Sequence, residues 1–224
     1  MFTGIVEHVG RVAVFREVPF GAELFLDPGA WRTQPAPGDS IAVNGCCLTV
    51  AAIDGASWRF DVIAQTLALT TLGGLRPEDT VNLEASATPT SLLGGHLVTG
   101  HVDGVGEVIG LTADEREWRL RIAAPEPVRP TLVERGSIAV DGVSLTLAAV
   151  EPEAAPTERP SPPRWFEVAL IPTTLARTTL GALAVGDRVN LESDCIARMV
   201  AAMLRRGIAG GIERRSGCGA GPSK

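Results

Sequence analysis

The chain has 224 residues, 45% of them hydrophobic, and a formal net charge of -6. That length admits two domains of roughly 100 residues, and the charge argues against nucleic acid or an anionic membrane as partner. The only lysine is Lys224 and there is no tyrosine, which excludes internal Schiff-base chemistry, a pyridoxal phosphate anchor and a Walker-type phosphate lysine.

Taken in order, residues 2–18 alternate loosely and are rich in valine, which predicts a strand broken near Pro19-Phe20-Gly21. Residues 22–26 predict a second strand, followed by turn chemistry at Asp27-Pro28-Gly29. Residues 41–53 are long enough for two strand pieces with a bend at Asn44-Gly45, a pair that tolerates positive φ. Asp54-Gly55 marks a hairpin into 58–63, residues 66–72 predict one or two helical turns, and 81–85 predicts a closing strand. About six short strands and one small helix, with turns at this spacing, indicate a sandwich or small barrel. Residues 88–95 read as a linker, after which the same order returns. Beyond it, Ser193 is placed to cap a helix with Ile196, Met199, Val200, Met203 and Leu204 on one face. Such a stripe, outside two finished barrels, suits a contact between chains. The tail, 207–224, is Gly- and Arg-rich and expected to be disordered.

Self-similarity carries the organisation. Residues 40–53, SIAVNGCCLTVAAI, return at 137–150 as SIAVDGVSLTLAAV, with 9 of 14 identical. TGIVEHVGRV at 3–12 returns at 99–108 as TGHVDGVGEV, TLALTTLG at 66–73 as TLARTTLG at 174–181, and VNLE at 81–84 unchanged at 189–192. Four blocks in one order mean a duplicated domain, with copies at 1–95 and 96–192 and a helix at 193–206. The offset grows because 151–164, EPEAAPTERPSPPR, adds a proline-rich loop to the second copy.

The copies diverge where chemistry could sit. Asn44-Gly45-Cys46-Cys47 becomes Asp141-Gly142-Val143-Ser144, and Ile5 becomes His101. In a strand, neighbours face opposite sides, so only one of Cys46 and Cys47 can face a pocket. His101 is a candidate for acid–base work or for a surface loop position, and His96 and His101 together are weighed for a metal, although no third ligand follows at metal spacing. Gly142-Val143-Ser144-Leu145-Thr146 lacks the final glycine of a nucleophile elbow, and Gly104, Gly106 and Gly110 miss the dinucleotide spacing. Four cysteines (46, 47, 195 and 218) form no CxxC pair, which suits a reducing compartment. No apolar run approaches ~18 residues and no leader pattern opens the chain, so a cytoplasmic protein is expected.

The start Met1-Phe2-Thr3-Gly4-Ile5-Val6-Glu7, the block Asn44 to Thr49, the run Gly95-His96-Leu97-Val98-Thr99-Gly100-His101-Val102-Asp103 and the block Asp141 to Thr146 resemble the riboflavin synthase alpha-chain family, with its lumazine-binding domains. The likeness spans about residues 1–204. It implies an all-β fold of two tandem six-stranded antiparallel Greek-key β-barrels with a C-terminal α-helix that assembles a homotrimer. The implied activity is that of a transferase: dismutation of two 6,7-dimethyl-8-ribityllumazine molecules into riboflavin and 5-amino-6-(D-ribitylamino)uracil. It implies no metal or redox cofactor, and lumazine synthase as a further partner.

The likeness also implies the site. The first-copy pocket would use Gly4, Ile5, Val6, Cys47, Leu48 and Thr49, with Asp61, Val62, Ile63, Ala64, Gln65 and Thr66. The second would use Gly100, His101, Val102, Arg135, Ser144, Leu145 and Thr146, with Ile171, Pro172, Thr173, Thr174, Leu175 and Ala176. Ser144 and His101 would move protons or hold the attacking water. Cys47, Thr146, Asp141 and Asp194 would position and polarise the ring, and Phe2 would pack on it. The site would lie between the first barrel of one subunit and the second of its neighbour, a contact that closes a ring. A non-catalytic lumazine- or flavin-binding antenna of the same fold is the rival reading. A barrel for single-stranded nucleic acid would need a basic groove and exposed aromatics.

Overall fold

The strands close into two barrels of the same design. A computed structural model describes residues 1–113, 117–151 and 164–205; the predicted tail and all but the ends of the proline-rich loop lie outside them. The first barrel comprises β1 (His8–Val18), β2 (Gly21–Asp27), β3 (Ser40–Val43), β4 (Cys46–Asp54), β5 (Ser57–Ile63) and β6 (Thr80–Ala85). Its cyclic order is β1-β2-β5-β4-β3-β6, antiparallel throughout. A helix, α1 (Ala64–Leu69), and a 3-10 turn, Thr71–Gly74, bridge β5 and β6. The second barrel repeats the order with β7 (Gly104–Ala113), β8 (Trp118–Ala123), β9 (Ser137–Val140), β10 (Val143–Val150), β11 (Trp165–Ala169) and β12 (Arg188–Ser193). Here α2 (Pro172–Arg177) stands where α1 does, and α3 (Cys195–Arg205) follows β12.

Period-two burial makes each barrel. In β2 the side chains of Ala22, Leu24 and Leu26 point inward, and in β5 those of Trp58, Phe60 and Val62. Val108, Leu120, Ile122, Phe166 and Leu191 fill the second core. Closing so few strands requires sharp bends, and the copies bulge at matching places: Val12/Val14 and Val108/Gly110, Val50/Ala52 and Leu147/Ala149.

The predicted opening strand starts later than expected, at His8, because residues 2–6 leave their own copy. Phe2 and Val98 exchange backbone hydrogen bonds of 2.7 and 3.1 Å. From there residues 3–6 run along the second barrel, where Ser144 N–H donates to the Gly4 carbonyl (2.7 Å) and Val6 enters the core. Residues 99–102 run along the first, where Cys47 N–H donates to the Gly100 carbonyl (2.8 Å) and Val102 packs on the core. A cut at residue 95 therefore separates the sequence copies but not the packed bodies.

Two buried carboxylates hold these crossing segments. Glu84 accepts from Thr3 N (2.6 Å), Thr3 Oγ1 (2.8 Å) and Gly4 N (3.1 Å). Glu192 does the same for Thr99 N (2.6 Å), Thr99 Oγ1 (2.7 Å) and Gly100 N (2.9 Å). Burial pushes both carboxyls above the usual range, and the donors pull them back.

A reciprocal polar lock joins the barrels. Asn82 donates from Nδ2 to the Asp141 carbonyl (2.9 Å) and accepts from Thr179 N (2.8 Å). Asn190 donates to the Asn44 carbonyl (2.8 Å) and accepts from Thr71 N (2.7 Å). Between them Gly45 and Gly142 abut, with φ of 76° and 79°. A β-carbon on Gly45 would lie 2.6 Å from the Gly142 nitrogen. Gly45→Ala therefore adds left-handed strain to a backbone clash and should cost about 2–4 kcal/mol, read as a lowered denaturant midpoint at unchanged slope.

At α3 the capping residue is Asp194, not Ser193: Asp194 Oδ1 accepts from Ile196 N (2.7 Å), while the Ser193 hydroxyl accepts from Thr131 Oγ1 (2.9 Å). Ile196, Met199, Val200, Met203 and Leu204 are each at least half exposed. Among the described residues no helix is long and apolar enough to cross a membrane.

Candidate functional site

The predicted residues fall into two half-sites on the outer walls of the barrels. In β4, Cys46, Leu48 and Val50 face the core while Cys47 and Thr49 face out; in β10, Val143, Leu145 and Leu147 face in while Ser144 and Thr146 face out. The register Val50↔Phe60, continued, sets Ile63 opposite Cys47; Leu147↔Val168, continued, sets Ile171 opposite Ser144. Both isoleucines are more than half exposed, and the start of each short helix they introduce is exposed too. Each half-site is thus a platform with a reactive side chain in the wall and an apolar one beside it.

The crossing segments redistribute the predicted sets. Gly4, Ile5 and Val6 belong with Ser144, Leu145 and Thr146, and with 171–176 at α2; they do not belong with Cys47. Gly100, His101 and Val102 belong with Cys47, Leu48 and Thr49, and with 61–66 at α1. The expected pairing of Ser144 with His101 is corrected accordingly, since His101 is exposed on the first-barrel platform. The exchange is legible only in three dimensions, because each segment adjoins its own copy in sequence.

The partner of Ser144 is His96. Its Nδ1 lies 2.7 Å from Ser144 Oγ, and burial holds the imidazole below its ordinary pKa despite the opposing charge of Asp194. Nε2 is buried and has no hydrogen-bond partner among the described residues. A bare buried lone pair costs less than an orphaned buried N–H, which assigns the proton to Nδ1 and makes His96 the donor to Ser144 Oγ. The serine hydroxyl is then free to donate outward. Gly95 permits this approach, since a β-carbon there would meet the Thr3 carbonyl oxygen at 2.3 Å and Ser144 Oγ at 2.8 Å. His96 has no twin, because it precedes the repeated blocks, so comparison of the copies could not single it out.

On the other platform the two cysteines separate as expected: Cys46 is in the core, its thiol pushed up to about 12 by burial, while Cys47 is half-buried. Arg135 lies in an exposed turn with φ 66°, its N–H on the Leu147 carbonyl (2.9 Å), beside Thr146 along β10.

Two expectations do not survive. Phe2 is 1% exposed, packed with Ala42, Val98 and Ala139 between the barrels, so it supports Cys47 from behind and offers no face to a ring. Asp141 is 5% exposed and its Oδ1 accepts from Asn190 N (2.8 Å), which makes it part of the lock between barrels. Asp194 caps α3 through Oδ1 and its charge still reaches His96, so it stays beside the Ser144 platform. A cleft of about 850 Å³ beside α1 takes in only Ala64 of the predicted residues, and no serine, cysteine or histidine lines it. The platforms carry the reactive groups instead. Among the described residues no group of three or more His, Cys, Asp or Glu is placed to hold a metal ion.

Comparison with known proteins agrees with this duplicated arrangement. The family model for the lumazine binding domain matches twice, at residues 3–86 and 99–194. The chain is 45% identical over 207 residues to riboflavin synthase of Mycobacterium bovis, covering 92% of this chain and 98% of that one. It is 38% identical over 210 residues to riboflavin synthase of Chlamydia pneumoniae, covering 93% and 98%. Among solved structures, LumP complexed with 6,7-dimethyl-8-(1'-D-ribityl) lumazine superposes with a TM-score of 0.70 at 27% identity, over 86% of this chain and 99% of that one. With both domain matches in register with the two barrels, the chain belongs to the riboflavin synthase family of paired lumazine-binding domains.

Proposed function

We propose that the chain is a riboflavin synthase: a transferase that passes a four-carbon unit between two 6,7-dimethyl-8-ribityllumazine molecules, leaving riboflavin and 5-amino-6-(D-ribitylamino)uracil. The observation that carries this is the pair of like platforms with unlike chemistry, Cys47 with His101 on one and Ser144 with His96 on the other. Two copies of one substrate must take different roles, and a duplicated wall with substituted side chains provides for that. Holding two flat ring systems face to face turns an encounter into a positioned reaction, an effect reaching ~7–11 kcal/mol in model systems. The ring on the Ser144 platform meets a hydroxyl donor suited to charge that develops as a nucleophile adds. The ring on the Cys47 platform lies beside His101, an imidazole suited to receive a methyl proton.

Each platform is open, so a second wall is required. The same proposal sets the first barrel of one subunit against the second of the next in a homotrimer, with the apolar face of α3 as the seam. Cytoplasmic location and association with lumazine synthase belong to this reading.

The test is to mix the purified protein with 6,7-dimethyl-8-ribityllumazine alone and follow riboflavin absorbance. Riboflavin and the diaminouracil product are expected in equal amounts. Tight binding without turnover would instead identify a lumazine-binding protein, as the likeness to LumP allows.

A further inference from the structure

We infer that Arg198, on α3, is a positioning residue for the segment that carries His101, acting through Asp103. This rests on the proposed function for its kinetic consequence, but the tie itself is geometric.

His101 is exposed on a stretch that must cross from one barrel to the other, so its placement depends on how both flanks are tied. The upstream flank is held by Glu192, through Thr99 and Gly100. The downstream flank is held by Asp103, whose Oδ1 pairs with Arg198 Nη1 at 2.9 Å and whose Oδ2 accepts from Ser193 N at 2.8 Å. Both carboxylate oxygens are thus engaged, and the ion pair is largely sheltered, its side chains 17% and 34% exposed. A sheltered, hydrogen-bonded pair fixes geometry far better than one at an open surface. Burial pushes the Glu192 carboxyl up, and Thr99, Gly100 and the Arg198 charge pull it back toward the ionised form that grips the upstream flank. One guanidinium on α3 therefore supports both sides of His101.

The first copy shows that this tie is an addition. Glu7 occupies the place of Asp103, and both backbones are anchored alike, Glu7 N on the Leu83 carbonyl (2.9 Å) and Asp103 N on the Leu191 carbonyl (2.8 Å). The Glu7 side chain, however, accepts from Trp31 Nε1 (3.2 Å) in the loop between β2 and β3, and no helix follows β6 there. The duplicated acidic position has been used once to hold a loop and once to hold α3. If the exposed face of α3 is the subunit seam, the same helix joins assembly to the geometry of the first-barrel platform.

Arg198→Met keeps the aliphatic stem and deletes the charge. It is expected to lower kcat on the order of ten-fold with KM changed by less than about two-fold, to speed amide exchange at residues 100–103, and to leave the oligomer mass by light scattering unchanged. Arg198→Lys, which keeps the charge, should recover most of the rate. Asp103→Asn, which retains an acceptor for Ser193 N, supplies an independent reading if Arg198→Met folds poorly. Wild-type exchange and kcat in Arg198→Met would overturn the inference, as would a lysine variant no better than methionine, or activity lost only in step with oligomer mass. Should the wild type form no riboflavin, the functional reading fails, and the exchange rates alone decide whether Arg198 holds the segment.

Discussion

Ser144→Ala is expected to lower riboflavin formation by about 10²–10³-fold while leaving lumazine affinity within a few-fold, because it removes a preorganised donor aimed at the ring. The orientation of that donor depends on His96. With the imidazole held neutral by burial and its Nδ1–H directed at Ser144 Oγ (2.7 Å), the hydroxyl hydrogen is left to point outward. His96→Leu should therefore cost a large part of what Ser144→Ala costs, and the double variant little more than the serine variant alone, since the two act as a unit. His96→Asn places an N–H close to the position of Nδ1 and should restore much of the rate. The contrary arrangement, with His96 as base drawing the serine proton, predicts that asparagine is as damaging as leucine. Burial lowers the His96 pKa, and a proton taken up at Nε2 leaves the Nδ1–H in place, so protonation of the ring does not remove the donor to Ser144. The contrary arrangement instead predicts an acid limb from loss of the base, displaced below the ordinary histidine range. Measuring kcat for the four variants across pH decides between the two tautomers.

Much of this architecture is legible in the sequence. The duplicated blocks, the period-two runs and the Asn44-Gly45 and Asp141-Gly142 bends foretold two like barrels, because strand alternation and positive-φ turns are local properties of sequence. Alternation also requires Cys46 and Cys47 to face opposite sides, and leaves open which of them faces out. What could not be read is what crosses between copies. Gly4 adjoins the first copy in sequence and packs on the second, since Phe2 pairs with Val98 and each segment runs on to the opposite barrel. The place of His96 beside Ser144 is hidden from sequence because that histidine has no counterpart to differ from. The repeated acidic residues mark only the duplication, because they do not diverge, yet Glu84 and Glu192 hold the segments that bear Ile5 and His101. Divergence between the copies marked reactive side chains; identity between them marked the frame that aims those side chains, and a search for differences passes over the frame.

Asp141→Asn is expected to stabilise the protein at neutral and alkaline pH and to leave turnover nearly unchanged. The wild-type carboxyl is fully enclosed, its pKa raised from 3.8 to about 7 by burial, with Asn190 N–H the opposing contact. A carboxyl whose pKa is higher folded than unfolded holds its proton longer in the native state. Below about pH 3.8 both states are protonated and no penalty exists; from there to about pH 7 the unfolded chain alone gives up its proton, so native stability falls as pH rises, and above pH 7 the loss is complete. At 1.36 kcal/mol per unit that loss is on the order of 4 kcal/mol, which for a chain of this size corresponds to a Tm shift of about 5–10 °C after allowance for relaxation around the charge. The first copy supplies the template for relief: Asn44, at the same place in the lock, accepts the Asn82 N–H through Oδ1 at 2.7 Å with no charge to bury. The Tm of Asp141→Asn should exceed that of the wild type by this margin at pH 8 and converge with it near pH 4. A constant difference across the range would mean that the carboxyl is not the source of the penalty. A collapse of turnover with Tm raised as expected would return Asp141 to the reacting groups, from which its enclosure between the barrels now separates it.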